Sequence, residues 1–343
     1  MPSVAQLTQP AVDIKTKTLF ETVKSKDELE SEIQVKEMVP LWNTGKQITG
    51  KAPRSPQIPT VWSYADTKSL LVSAAELVDP RLAERRAVLF INPGRNEAPF
   101  TLDTLLAAHQ LILPGEKAVC HRHTPFAVRF LIEGEQGYTA ISGKKMYMEP
   151  GDLIITPVWN WHDHGNEGTK NVIWMDGLNI PLFAPNPVDF TEHYGEEFGK
   201  DTQESAVFPD EEVRDMKFSW VDMKARLLAE GEDYASLEYK LPSGASVSKT
   251  IGAYMERINP GSASTRRKET TNHIFQVHQG YGTTTVTSPD GSKTRVLEWG
   301  PGDNFAIPSW TEFVNCAKGD EPAYLFYYTD RPMLESLGLW RSG

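Results

Sequence analysis

The chain repeats itself, and that repeat limits its possible folds more than any other feature. Gly115 is followed after five residues by His121-Arg122-His123 and later by Gly134. Gly261 is likewise followed after five residues by Arg267-Lys268-Glu269 and later by Gly280. The third motif residue and the later Gly stand eleven apart in both blocks. Next comes Pro150-Gly151-Asp152 with Pro157 six beyond its Gly, matched by Pro301-Gly302-Asp303 with Pro308 six beyond. The second block carries five extra residues between these markers, around Ser288 to Ser292. Turn residues held at fixed offsets while the side chains between them change are the mark of a duplicated structural unit.

The unit is built of strands. From Gln110 onward, β-prone runs (AVRFLI, GYTAI, DLIITP, NVIWMDG) alternate with Glu-Gly, Ser-Gly and Pro-Gly turns, and the texture returns over 250–329. Strands every eight to twelve residues, with no helix between them, predict an antiparallel barrel. Helical spacing occurs over 19–38 (Leu19, Phe20, Val23, Leu29, Ile33, Met38), over 66–78 before Pro80, and again over 208–232. Residues 40–59 are punctuated by Pro and Gly and read as an extended linker, while 101–110 fits helix or strand. The predicted organisation is an N-terminal arm and helices packing on the first barrel (1–100), the first barrel (101–185), a helical connection (186–245), and a second barrel with a tail (246–343).

Composition narrows the function classes. The 343 residues, 39% hydrophobic, suffice for a sizeable core. Thirty-five Lys and Arg against 46 Asp and Glu give a net charge of −11, which argues against nucleic acid or anionic membrane surfaces as partners. No run approaches the ~18 apolar residues of a membrane span. The first twenty residues lack a basic start followed by an apolar block, and the two cysteines, Cys120 and Cys316, cannot build a disulfide framework. A cytoplasmic protein is expected.

Four of the eight histidines fall within 44 residues: His121, His123, His162 and His164. Residues two apart on a strand share a face, so His121 and His123 can converge on one ion. His162, five beyond Pro157, can complete the set from the later strand pair. Three neutral imidazoles suit a divalent first-row metal that keeps open positions for chemistry. A lone His-x-His is more often a surface strand pair. The spacing here is more specific: Gly-x5-His-x-His, then Gly-x5-Pro-x4-His-x3-Asn (Gly151, Pro157, His162, Asn166), resembles the paired signature of the cupin barrel. That resemblance implies a bicupin, two tandem double-stranded β-helix (jelly-roll) barrels, mainly β. Many cupins add a Glu ligand four or five residues after the second His; here those positions hold Ala127 and Val128. Trp159 stands where a Gly is usual.

The wording around the histidines is more specific still. HRHTPFAVRFLIEGEQGYTAI, MEPGDLIITPVWNWHDHGNEG and VIWMDGLNIPL closely resemble the gentisate 1,2-dioxygenase family, with its salicylate and 1-hydroxy-2-naphthoate relatives. ERRAVLFINPG, FAIPSWTEF and TDRPMLESLGLWR extend the likeness over roughly 40–343, with about 185–245 the least characteristic part. The resemblance implies an Fe(II) enzyme, one iron per chain, that opens the ring of a small aromatic o-hydroxy acid with O2, and a homotetramer. It matches His121, His123 and His162 to the iron ligands. It places Arg81, Arg85, Arg129, His164 and Asp176 around the substrate, with Arg129 and His164 as catalytic candidates. The missing Glu fits this chemistry, because substrate carboxylate, phenolate and O2 together need three positions on the metal.

Several of these residues also carry plainer readings. Arg81, Arg85 and Arg86 lie in a charged segment where a solvated arginine is the default. Arg129 interrupts an apolar strand (Phe126, Val128, Phe130, Ile132) with the parity of His121 and His123, so it needs an anion partner inside the barrel. Asp176 could begin a turn, and Trp159 and Trp161 read as barrel packing. In the second block Arg267, Glu269 and Phe313 fall where His121, His123 and His162 stand, which predicts an internal ion pair and a barrel without metal; His273 and His278 fall outside ligand register. Gentisate is the expected substrate. The alternatives are salicylate or 1-hydroxy-2-naphthoate, separated by pocket-wall residues such as those near Leu106. Beyond these lie another cupin enzyme such as an isomerase, or a non-catalytic storage or small-molecule-sensing bicupin.

Overall fold

A computed structural model of the chain describes residues 23–50, 52–78, 86–94 and 99–343. Arg81 and Arg85 lie outside the described residues, as does the start of the first predicted helix. The chain divides into two units, 1–51 and 52–343. In the first unit, α1 (Lys26–Val35) starts at Ser25, whose hydroxyl accepts from the Glu28 amide, and α2 (Leu41–Ile48) follows Pro40. Among the described residues no helix is long and apolar enough to cross a membrane.

The second unit opens with β1 (Thr60–Trp62), α3 (Tyr64–Leu77) and β2 (Arg86–Leu89). The first barrel then runs through β3 (Leu106–Ile112), β4 (His121–His123), β5 (Ala127–Glu133), β6 (Gly137–Ile141), β7 (Lys144–Met148), β8 (Leu153–Thr156), β9 (His162–Asn166) and β10 (Val172–Leu178). The ambiguous 101–110 segment thus resolves into strand from Leu106. After the first barrel come β11 (Thr191–His193), α4 (Tyr194–Phe198), β12 (Ala206–Val207), β13 (Lys217–Phe218), α5 (Trp220–Ala229) and β14 (Tyr234–Glu238). The second barrel comprises β15 (Gly252–Ile258), β16 (His273–Gln279), β17 (Tyr281–Thr287), β18 (Thr294–Trp299), β19 (Asn304–Ile307), β20 (Glu312–Lys318) and β21 (Ala323–Thr329), closed by α6 (Arg331–Ser336).

The first barrel consists of the sheets β13-β8-β5-β10-β3-β2 and β11-β4-β9-β6-β7-β12; the second, of β1-β19-β16-β21-β15-β14 and β18-β17-β20. Two features depart from the sequence reading. The connection over 186–245 is helical only in α4, α5 and short 3-10 turns, and it also adds β11, β12, β13 and β14 as edge strands. These strands are two to five residues long, too short to leave a period in the sequence. The N-terminal region, read as packing on the first barrel, also sends β1 to pair with β19 of the second.

The repeated Pro-Gly-Asp motif does the same work twice. Gly151 and Gly302 turn the chain at φ +95° and +86°, a backbone region that side-chain-bearing residues rarely adopt. A Cβ at Gly151 would strike Trp220 at 2.7 Å, and one at Gly302 would strike Tyr64 at 2.4 Å. The aspartate that follows then anchors a helix start: Asp152 accepts from the Trp220 amide of α5 at 2.9 Å, and Asp303 from the Tyr64 amide of α3 at 2.8 Å. Each barrel therefore clasps a helix contributed by another part of the chain.

The two barrels meet through one face of each large sheet. Val128, Phe130, Leu153, Ile155 and Met175 share a core with Met255, Ile274, Phe326 and Tyr328, and Phe130 stacks on Phe326 at 4.6 Å. Tyr328 donates its hydroxyl hydrogen to the Leu106 carbonyl at 2.7 Å. His109 is fully buried at this seam, with Nδ1 3.1 Å from Thr67 Oγ1 and Nε2 3.3 Å from Gln276 Oε1. Burial lowers its pKa to about 4, against hydrogen bonding to Gln276 and Asn304 that works to raise it. Between pH 4 and 6.5 the unfolded chain therefore binds a proton there that the folded chain refuses. The stability from a neutral His109 is complete above pH 6.5 and is lost as the pH falls towards 4, by about 3 kcal/mol in all. His109→Gln should flatten that part of the stability–pH curve in denaturant titrations; a curve parallel to the parent's would refute the assignment.

Candidate metal centre

β4 and β9 meet in a single antiparallel pair, His121 opposite His162, with His123 two residues along on the same face. The three rings lie with centroids 5.4 Å (His121–His123), 4.3 Å (His121–His162) and 4.8 Å (His123–His162) apart. One nitrogen from each lies within 4.8 Å of the others, and all three residues are buried. Each Nδ1 points at a backbone carbonyl two residues away: His121 at Val119 (2.9 Å), His123 at Pro125 (2.8 Å) and His162 at Asn160 (2.9 Å). A carbonyl only accepts, so each Nδ1 carries the proton and each Nε2 is the nitrogen able to ligate a metal. Burial, reinforced by His121 and His123, holds His162 well below the ordinary histidine value, so its ligating neutral form is favoured. The donor set fits a divalent first-row ion. Ala127 lies on the inner face of β5, where its methyl group supplies no fourth ligand.

The inner face of the large sheet is set by register. Asp176 of β10 lies opposite both Arg129 of β5 and Ala108 of β3. Arg129, 3% exposed, meets Asp176 Oδ1 through a terminal nitrogen at 2.6 Å, and Trp174 Nε1 donates to Asp176 Oδ2 at 2.9 Å. The guanidinium also lies 5.1 Å from the Trp174 ring and donates to Thr139 Oγ1 at 3.4 Å. Asp176 is thus a strand residue rather than the start of a turn, and it is the internal anion that Arg129 required. Thr139 Oγ1 is 3.0 Å from Nδ1 of His164, whose ring is 5.5 Å from that of His162. Arg129, Asp176, Thr139 and His164 form one polar chain leading to the three histidines.

Other candidates separate from this group. Arg86 makes a double contact with both oxygens of Glu116 at 2.6 Å, a structural role. Trp159 holds φ +64° and its second-barrel counterpart Trp310 +63°, which explains the usual Gly at that position. Trp159 and Trp161 flank the Arg122 guanidinium at 4.8 and 4.4 Å, and Arg122 pairs with Glu192 at 2.7 Å, on the side of β4 opposite His121 and His123.

Two residues of this neighbourhood escape the sequence reading. Thr139 lies in a run taken only as strand. His193, opposite His121 on β11 with ring centroids 6.5 Å apart, lies in the least characteristic stretch. The alternation Thr191-Glu192-His193, with Glu192 facing Arg122, is the only local signal of it.

In the second barrel the corresponding pair is Arg267 opposite Phe313, in the same bridge geometry. Arg267 meets Glu256 at 2.8 Å rather than the expected Glu269, which instead accepts from Thr271 at 2.9 Å. Arg267 and Glu269 lie two residues apart in a segment of isolated bridges, to Phe313 and Ser342, whereas Glu256 reaches across from β15. Among the described residues the three histidines of the first barrel are the one group placed to hold a metal ion.

Residues 108–178 match the cupin domain family. The chain is 32% identical to a 5-aminosalicylate 1,2-dioxygenase from Comamonas sp, covering 92% of this chain and 89% of that one. It is 30% identical to gentisate 1,2 dioxygenase 1 from Aquipseudomonas alcaligenes, covering 93% and 96%. A salicylate 1,2-dioxygenase from Pseudaminobacter salicylatoxidans superimposes with a TM-score of 0.84 at 26% identity, over 94% of this chain and 98% of that chain.

Proposed function

Because this chain belongs to the gentisate 1,2-dioxygenase family of ring-cleaving cupin enzymes, we propose that it binds Fe(II) through His121, His123 and His162 and cleaves gentisate. The bond broken is that between the carboxyl-bearing carbon and the adjacent hydroxyl-bearing carbon. Both atoms of O2 enter the product, maleylpyruvate. The observation that carries the reading is a buried three-histidine site with Ala127 in place of a protein carboxylate. When bound, ferrous iron supplies chelation of the substrate's carboxylate and phenolate and the electron exchange that lets ground-state O2 react with the ring.

The chain's own residues do the rest. Arg129, already balanced by Asp176, offers its remaining N–H groups to the substrate's anionic edge without bringing an unbalanced charge into the barrel. Arg81 and Arg85 belong to the same proposal as binders of the carboxylate. His164 takes the phenolic proton at Nε2. The Thr139 hydroxyl, able to donate or accept, keeps a hydrogen bond to Nδ1 in either tautomer. Apolar Leu106 and small Ala108 form the adjoining wall of the inner face, next to the Arg129–Asp176 row.

Anaerobic Fe(II) loading followed by oxygen-electrode assays with gentisate, salicylate and 1-hydroxy-2-naphthoate tests this. Oxygen uptake with gentisate as the best substrate, and one iron per chain, are the expected results. A preference for either other acid would move the assignment within the family, and no uptake with any of them would end it. Two irons per chain would refute the proposal that the second barrel, with Arg267 and Phe313 at the ligand positions, is structural. We also propose a cytoplasmic homotetramer, which light scattering checks for the assembly.

A further inference from the structure

The hairpin between β17 and β18, five residues longer than its counterpart in the first block, builds a cleft on the second barrel. Its volume is about 420 Å³, within the range of small-molecule sites. One wall is the Pro-rich segment leading into β1, with Pro56, Ile58 and Pro59; the other is Val286, Pro289 and Pro308. Lys293 and Arg295 stand at the edge of this apolar slot, and among the described residues neither makes an ion pair. The hairpin's own carboxylate, Asp290, is taken by Ser288 and Ser292, whose hydrogen bonds hold its pKa down at about 2. Among the described residues no acidic side chain lines the cleft.

Gln57 ties the proline-rich wall to Asp103. Gln57, 5% exposed, also lines the cleft, and its carbonyl oxygen accepts from Ser55 and from the Asp103 amide. Its amide nitrogen is buried without a hydrogen-bond partner among the described residues. The two bonds to the Gln57 carbonyl oxygen hold this wall of the cleft in place.

We infer that this cleft is a second, non-catalytic site for a small aromatic carboxylate, its ring held between the proline walls and its carboxylate met by Lys293 and Arg295. The charge at the mouth selects an anion, and the apolar proline and aliphatic walls select a ring over a hydrated inorganic anion. The inference does not rest on the reaction assigned to the first barrel.

Photolabelling of the full-length, iron-loaded protein with 4-azidobenzoate, followed by peptide mapping, tests it. Label should appear on peptides containing Pro289 to Arg295 or Pro308 to Thr311, and excess benzoate should protect them where benzamide and inorganic phosphate do not. Lys293→Gln/Arg295→Gln, on an exposed hairpin, should reduce that labelling about tenfold with oxygen uptake unchanged. Labelling confined to the metal-bearing barrel would overturn the inference. So would protection by phosphate or benzamide equal to that by benzoate, or labelling unaffected by the double substitution.

Discussion

Replacing His121 by alanine is expected, on the proposed function, to remove both iron binding and turnover while leaving the protein folded. Its Nε2 is one of three converging donors, and two imidazoles cannot hold an exchangeable ferrous ion in the geometry that three provide. The loss of catalytic efficiency should be on the order of a thousandfold or more. The fold should survive, because the cores that join the barrels and fill the second one are built from other residues. Metal analysis, oxygen uptake and a thermal melt on the same preparation check all three parts. Parental iron content and turnover in His121→Ala would rule out the three-histidine centre. His123→Ala and His162→Ala should behave alike, since each imidazole is oriented the same way, by a carbonyl two residues off.

The second large effect belongs to Arg129, and here structure changes what the substitution should do. As a substrate contact alone, its loss would cost tenfold to a hundredfold in kcat/KM. Paired with Asp176 in the interior, it also neutralises a buried carboxylate. Arg129→Met should therefore destabilise the protein by about 3–5 kcal/mol, since among the described residues no other cation pairs with Asp176. Arg129→Met with Asp176→Leu should recover most of that stability and none of the activity. Arg129→Lys should fold, yet lose about tenfold to a hundredfold in kcat/KM because an ammonium cannot reproduce the guanidinium fork. Denaturant titrations beside steady-state kinetics separate the two roles. If Arg129→Met unfolded at the parent's denaturant midpoint, the pair would have no structural weight. If the double variant regained activity, Arg129 would have no part in catalysis.

Much of this architecture was legible in the chain because it is written in short-range regularities. Turn residues at fixed spacing announced the duplication. Two-residue alternation put His121, His123 and Arg129 on one face, and the missing Glu after the second histidine marked a site with open positions. Each of these signals follows from local backbone geometry, which repeats every two residues in a strand wherever the strand lies. What such regularity does not carry is which face meets which. That Asp176 answers Arg129, that Glu256 rather than Glu269 answers Arg267, and that β11 brings His193 opposite His121 all depend on register between strands far apart in sequence. The same holds for β1, which leaves its own neighbourhood to pair with β19. The barrel, its duplication and the residue types of the candidate metal centre can all be read along the chain. The partners emerge on folding, because a buried charge takes whichever opposite charge chain closure brings within reach, and closure is a property of the whole chain.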